Sequence, residues 1–167
     1  MNFVFYLAGA VAVLSTALML TRPNVVHGLL YLVISLLAVA VILFTLGAPF
    51  VAALEVIIYA GAILVLFVFV VMMLDLGRQS VPRERLWLGL RAWPGPLALT
   101  LVLLAEVIWI ATQGSSTRSA AGPIDPEAVG AALYGPYLVA VELSSLLLLA
   151  AVVGIYHLGQ RPARRRN

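Results

Sequence analysis

The 167-residue chain has no cysteine and no lysine. Without cysteine it can supply no disulfide, no thiolate metal site and no iron–sulfur ligand. Charge is scarce too: charged residues make up 10% of the sequence, against about 25% in an ordinary soluble domain. So few charges cannot cover a water-facing surface, and 63% of the residues are hydrophobic, so the chain reads as a polytopic membrane protein. The net charge of +3 does not signal nucleic acid. The basic residues are arginines at the edges of apolar runs, and none lies on an amphipathic soluble element. No basic region precedes the first apolar run, which is also too long for a cleaved signal, so Phe3–Leu20 reads as a retained helix. A Gly-rich phosphate loop, a metal-ligand cluster and a nucleophile–base set are all missing. No internal repeat is evident, which argues against a duplicated transporter.

What is present is a series of five apolar runs, each near the length of about 20 residues that spans a bilayer. They predict helices over about 3–20, 25–46, 50–74, 93–112 and 133–158 in a single membrane domain over 1–167. The fold class is all-α, because no alternating ten-residue pattern of a barrel appears. Polar loops fall at 75–92 and 113–132, and a basic tail at 159–167. Five spans put the two ends on opposite sides. Arg22, Arg78, Arg83, Arg85, Arg91 and the four arginines of the tail share one side, and Arg118 is alone on the other. The positive-inside rule then places the N-terminus outside, loop 75–92 and the C-terminus in the cytoplasm, and loop 113–132 in the periplasm. The short turn Gly47-Ala48-Pro49 makes spans two and three antiparallel neighbours.

The third run organises the rest. It carries a carboxylate at Glu55, a phenol one turn later at Tyr59, and then Ala60-Gly61-Ala62. An ionisable group facing lipid at the bilayer centre costs roughly 2.5–3.5 kcal/mol or more. Glu55 therefore either snorkels to the outer interface or faces a packed, hydrated contact. The i, i+4 spacing puts Glu55 and Tyr59 on one face, which Ala62 continues. Gly61 permits close helix packing or a π-bulge, and spacing alone favours close packing. Glu106 reads as an interfacial or helix-contact residue. Glu142 lies deeper, with Ser145 placed to hydrogen-bond to it in a helix–helix contact.

The segment Ala53-Leu54-Glu55-Val56-Ile57-Ile58-Tyr59-Ala60-Gly61-Ala62 and its continuation to Leu74 resembles chain J of the bacterial proton-pumping NADH:quinone oxidoreductase, respiratory complex I. The mitochondrial counterpart is subunit 6. Val26-His27-Gly28-Leu29-Leu30-Tyr31-Leu32 and Leu133-Tyr134-Gly135-Pro136-Tyr137-Leu138-Val139-Ala140-Val141-Glu142-Leu143 look like further segments of that family. The resemblance implies a non-redox subunit of the membrane arm, beside chains A, K, H and N, in the bacterial cytoplasmic membrane. FMN, iron–sulfur clusters and quinone would belong to partner subunits. It also implies a π-bulge near Tyr59–Val65 that rotates between π and α forms and gates a hydrated proton path. Tyr59, Ala60, Gly61, Ala62 and Val65 would form the gate, with Glu55 a further candidate and Glu142 a possible structural or proton-path group. Two other readings stand beside it. One is a stand-alone carrier or channel using Glu55, Glu106 and Glu142. The other is a subunit of a related multisubunit antiporter or membrane hydrogenase.

Overall fold

The computed structural model describes residues 2–22, 25–75, 93–113 and 123–159. The predicted loop arginines Arg78, Arg83, Arg85, Arg91 and Arg118 and the basic tail lie outside them. Among the described residues the chain is all-helical. Helices α1 (Asn2–Thr21) and α2 (Val25–Thr45) come first. The third span is continuous but has three parts: α3 (Pro49–Leu54), a π-helical segment (Glu55–Ile63) and α4 (Leu64–Asp75). The fourth span is α5 (Pro94–Gln113). A short helix α6 (Pro126–Tyr134) precedes the fifth span, α7 (Leu138–Gly159). Five of these stretches are long and apolar enough to cross a membrane.

Two units emerge, 1–124 and 125–167. In the first, α1 and α2 form a tight hairpin. Its core is built from small and branched residues: Val4, Ala8 and Val11 face Ile34, Ala38 and Val41, and Leu103 of α5 closes the cluster. Ala8 and Ala38 are fully buried, which lets the two backbones come close. One polar lock crosses the hairpin. Thr16 and Ser35 share a hydrogen bond of 2.8 Å between their hydroxyls, and Ser35 Oγ also lies 3.2 Å from the Ala12 carbonyl.

The turn after α2 explains how the third span begins. Gly47 adopts φ 86°, the left-handed conformation that glycine takes without a Cβ penalty. Its N–H donates to Phe44 O, and the Ala48 N–H donates to Leu43 O. Together these bonds satisfy the last carbonyls of α2 in the Schellman manner. Pro49 then opens α3 at a position where its missing N–H costs nothing. The third span turns back along α2 and packs on it through α3, the π segment and α4. The fourth span packs on α1 and α2. Near its start, Gly95 meets Tyr31 of α2. A Cβ at position 95 would collide with the Tyr31 hydroxyl. Tyr31 is buried, and Arg22 sits 5.3 Å from its ring centroid while Arg22 Nη2 donates to its hydroxyl at 3.3 Å.

In the second unit, hydropathy predicts one span over 133–158. The structure instead breaks the apolar run at Gly135-Pro136-Tyr137 and starts α7 at Leu138. Hydropathy does not register this break, because Leu133, Tyr134 and Tyr137 are apolar enough to extend the run. The backbone does: a Cβ at Gly135 would stand 2.6 Å from the Ala131 carbonyl, a close approach only glycine allows.

Candidate functional site

The candidate site is the middle of the third span, where the hydrogen-bond ladder changes step. At Glu55 the N–H still reaches the carbonyl four residues back, Val51 O, and shares it with Ala52 O. At Leu64 the N–H reaches five residues back, to Tyr59 O, and shares that bond with Gly61 O. Between them lie the nine residues Glu55-Val56-Ile57-Ile58-Tyr59-Ala60-Gly61-Ala62-Ile63 in π form. Such segments are rare, and they concentrate at functional sites because the wider turn is held only where something selects it.

Gly61 shows what this geometry asks of the sequence. A Cβ there would lie 3.2 Å from Val56 O, the carbonyl five residues back. A side chain would crowd the acceptor that a π turn presents to residue 61. Beside the close packing that its spacing suggests, the missing side chain at Gly61 avoids a tight contact within its own helix.

Leu64 and Ala52, at the two ends of this stretch, are buried, while Glu55, Ala60 and Gly61 are half-buried. Tyr59 is 51% exposed, and Ala62 is exposed. Neither the Glu55 carboxylate nor the Tyr59 hydroxyl hydrogen-bonds to a side chain or backbone group among the described residues. A hydrogen-bond partner for the Glu55 carboxylate is thus not supplied by the described part of this chain.

Two expectations need correction. The π segment begins at Glu55 and ends at Ile63, so it starts four residues earlier than expected, and Val65 lies beyond it in α4 with an ordinary ladder. Glu55 is its first residue and not a group one turn ahead of it. The Ser145 hydroxyl bonds the main-chain carbonyl of Glu142 at 2.7 Å and not its carboxylate. A serine in a helix reaches back to a carbonyl three or four residues earlier more readily than to a neighbouring side chain. Glu142 is exposed in the second unit.

One group was undervalued in the sequence. Glu106 is 4% exposed, and neither carboxylate oxygen has a partner among the described residues. Helical spacing alone carries no signal of this burial, because Val102, Ala105 and Trp109, which share that face of α5, are exposed. No group of three or more His, Asp or Glu residues that would suit a metal occurs among the described residues.

The family model described as NADH-ubiquinone/plastoquinone oxidoreductase chain 6 matches residues 15–158. Among curated relatives, NADH-quinone oxidoreductase subunit J of Pseudomonas aeruginosa is 56% identical over 169 residues, covering 99% of this chain and 100% of the relative. The protein of the same name from Escherichia coli K12 is 50% identical, covering 96% of this chain and 87% of its own length. That of Buchnera aphidicola subsp. Schizaphis graminum is 48% identical, covering 96% and 98%. The family match covers most of the chain, the π segment included, and the chain belongs to the chain 6 family of NADH-ubiquinone/plastoquinone oxidoreductases.

Proposed function

We propose that this chain is a membrane-arm subunit of a proton-pumping NADH:quinone oxidoreductase, and that its third span couples quinone reduction to proton translocation. Family membership supports the first part. The observation that carries the second is the π segment itself, which falls on the one stretch of the chain where a carboxylate, a phenol and three small residues follow one another.

The physical basis of the coupling is the near-equality of two ladders. In the π form each N–H of the segment takes the carbonyl five residues back; in the α form it takes the one four back. The number of hydrogen bonds hardly changes, so two packings of the same helix lie close in energy, as a switching element requires. Giving up one residue of register turns the helix beyond it by about 100° and moves it about 1.5 Å along the axis. That rotation carries Tyr59 away from the place it occupies and brings an apolar neighbour there. A chain of waters that includes the Tyr59 hydroxyl is then broken or completed. Gly61 keeps the π form accessible, Ala60 and Ala62 leave room for the turn, and Glu55 anchors the start of the segment beside the path. Glu142 is a second carboxylate available to the path or to a helix contact.

On this reading the subunit performs no redox chemistry. FMN, iron–sulfur clusters and quinone belong to partner subunits, among which chains A, K, H and N are the membrane neighbours. The five spans form one membrane domain in the bacterial cytoplasmic membrane, with the N-terminus outside and the C-terminus in the cytoplasm.

The test is to isolate the native assembly through a tag on this chain and assay NADH-driven quinone reduction and proton uptake together. A flavin-containing assembly with both activities is expected. A small homo-oligomer that conducts ions alone would sink the reading and favour a stand-alone carrier.

A further inference from the structure

The turn that opens the third span is tied to a segment far away in the sequence. Gly47 is buried and left-handed, and its carbonyl takes no part in the bonds that close α2. A main-chain carbonyl on a buried residue needs a donor. The Ile124 N–H supplies it, donating to Gly47 O at 2.8 Å. The sequence around this donor is Pro123-Ile124-Asp125-Pro126. Pro123 has a fixed φ, and Pro126 holds the residue before it extended. Asp125 is extended accordingly, at φ −71° and ψ 152°. Neither proline has an N–H, so Ile124 and Asp125 carry the only backbone donors of this stiff segment.

The two ends of the third span are held unequally. At the entrance, the Gly47 and Ala48 N–H groups bond back to Phe44 and Leu43, and Ala52 of α3 is buried. Packing on α2 is densest along α3 and thins toward α4. Past Leu64, no described side chain of α4 is buried. Among the described residues, no hydrogen bond from another element reaches α4. A change of one residue in the ladder obliges one end of a helix to turn against the other. The end with fewer restraints is the one that turns.

We propose that segment 123–125 is a clamp on the entrance of the third span, with the Ile124 N–H as its positioning group. The clamp holds α3 in place on α2. A register change in the π segment then turns α4 alone, and none of the motion is lost at the entrance. The proposal rests on the third span acting as a gate, and it says which half of that gate moves. Ile124 acts through the Gly47 turn, so its N–H is required and its side chain is not.

The chain has no cysteine, so one introduced thiol is the only one it carries. Ala53→Cys reports on α3 and Met72→Cys on α4, and both positions are exposed. The native assembly, isolated through a tag on this chain, is treated with a small permeant maleimide at rest and during NADH-driven turnover. Labelling of this chain is followed by mass spectrometry. The rate at position 72 is expected to change at least threefold on turnover, and the rate at 53 to stay the same. Ile124→Pro removes the N–H and suits an extended backbone. It should make position 53 respond at least threefold as well, and lower the protons pumped per electron about twofold while quinone reduction continues. Ile124→Ala keeps the N–H and should match the chain with Ile124. A response at 53 with Ile124 in place would overturn the clamp and leave the gate standing. So would an assembled Ile124→Pro variant with 53 still silent, or an equal loss in Ile124→Ala. Constant rates at both 53 and 72 would sink the gating reading and the clamp with it. The comparison of 53 with 72 decides the proposal even if Ile124→Pro does not assemble.

Discussion

The α1–α2 hairpin and the third span are made of the same apolar residues, yet they are held by opposite means. In α2, 44% of the most hydrophobic stretch is buried within the chain; in the third span the figure is 6%. The hairpin closes on its own small residues, its Thr16–Ser35 bond and a glycine turn. The third span lies along α2 and leaves Tyr59, Ile57, Ile63 and Val65 uncovered. A helix fixed on one side only can change its internal register without tearing a core. The altered ladder falls in a span that the described chain covers little, although low cover alone does not select it, since the fifth span is 0% buried and keeps a regular ladder.

This contrast can be broken most severely in the hairpin. Ala38→Phe places a ring where no space exists and costs about 1–3 kcal/mol by overpacking. The expected outcome is loss of the assembled complex, read as a drop of at least fivefold in tagged assembly on native gels. Gly61→Val should act differently. The β-branched side chain crowds Val56 O in the π form, so assembly persists while quinone reduction and pumping fall together by at least fivefold. Gly61→Ala grades the same effect, with a loss of about twofold, since only the Cβ must be accommodated at 3.2 Å. Normal coupled turnover in both variants, with the complex intact, would remove Gly61 from the mechanism. Tyr59→Phe keeps the ring and removes the hydroxyl. It should slow pumping about twofold to fivefold and leave thermal stability unchanged, because that hydroxyl holds nothing within the described chain. The smallest effect is expected from Ser35→Ala, which deletes the polar lock. A single interhelical hydrogen bond in a membrane protein contributes about 0.6 kcal/mol. Thermal melting of the complex should shift by no more than a degree or two, with turnover unaffected.

The spans and their order were legible because hydropathy and length alone specify them. The first four begin and end within a few residues of the expected places. The fifth did not, because the break at Gly135-Pro136 is a backbone event inside an apolar run. Glu55, Tyr59 and Gly61 could be singled out from one line of sequence. The step of the ladder could not, since four-back and five-back bonding use the same residues. The burial of Glu106 depends on Phe3, Val4 and Phe44, which are remote in the chain and meet α5 only after folding.

The contact between Tyr31 and Gly95 sets a rule of exchange between two positions 64 residues apart. With a tyrosine at 31, held by Arg22, any side chain at 95 must push the phenol aside. A chain that loses the hydroxyl by Tyr31→Phe gains room at 95, and alanine becomes tolerable there. The reverse order, alanine at 95 first, passes through a clash. The two positions therefore favour one order of change over the other, and comparing the stability of Gly95→Ala with that of Tyr31→Phe/Gly95→Ala would reveal the difference.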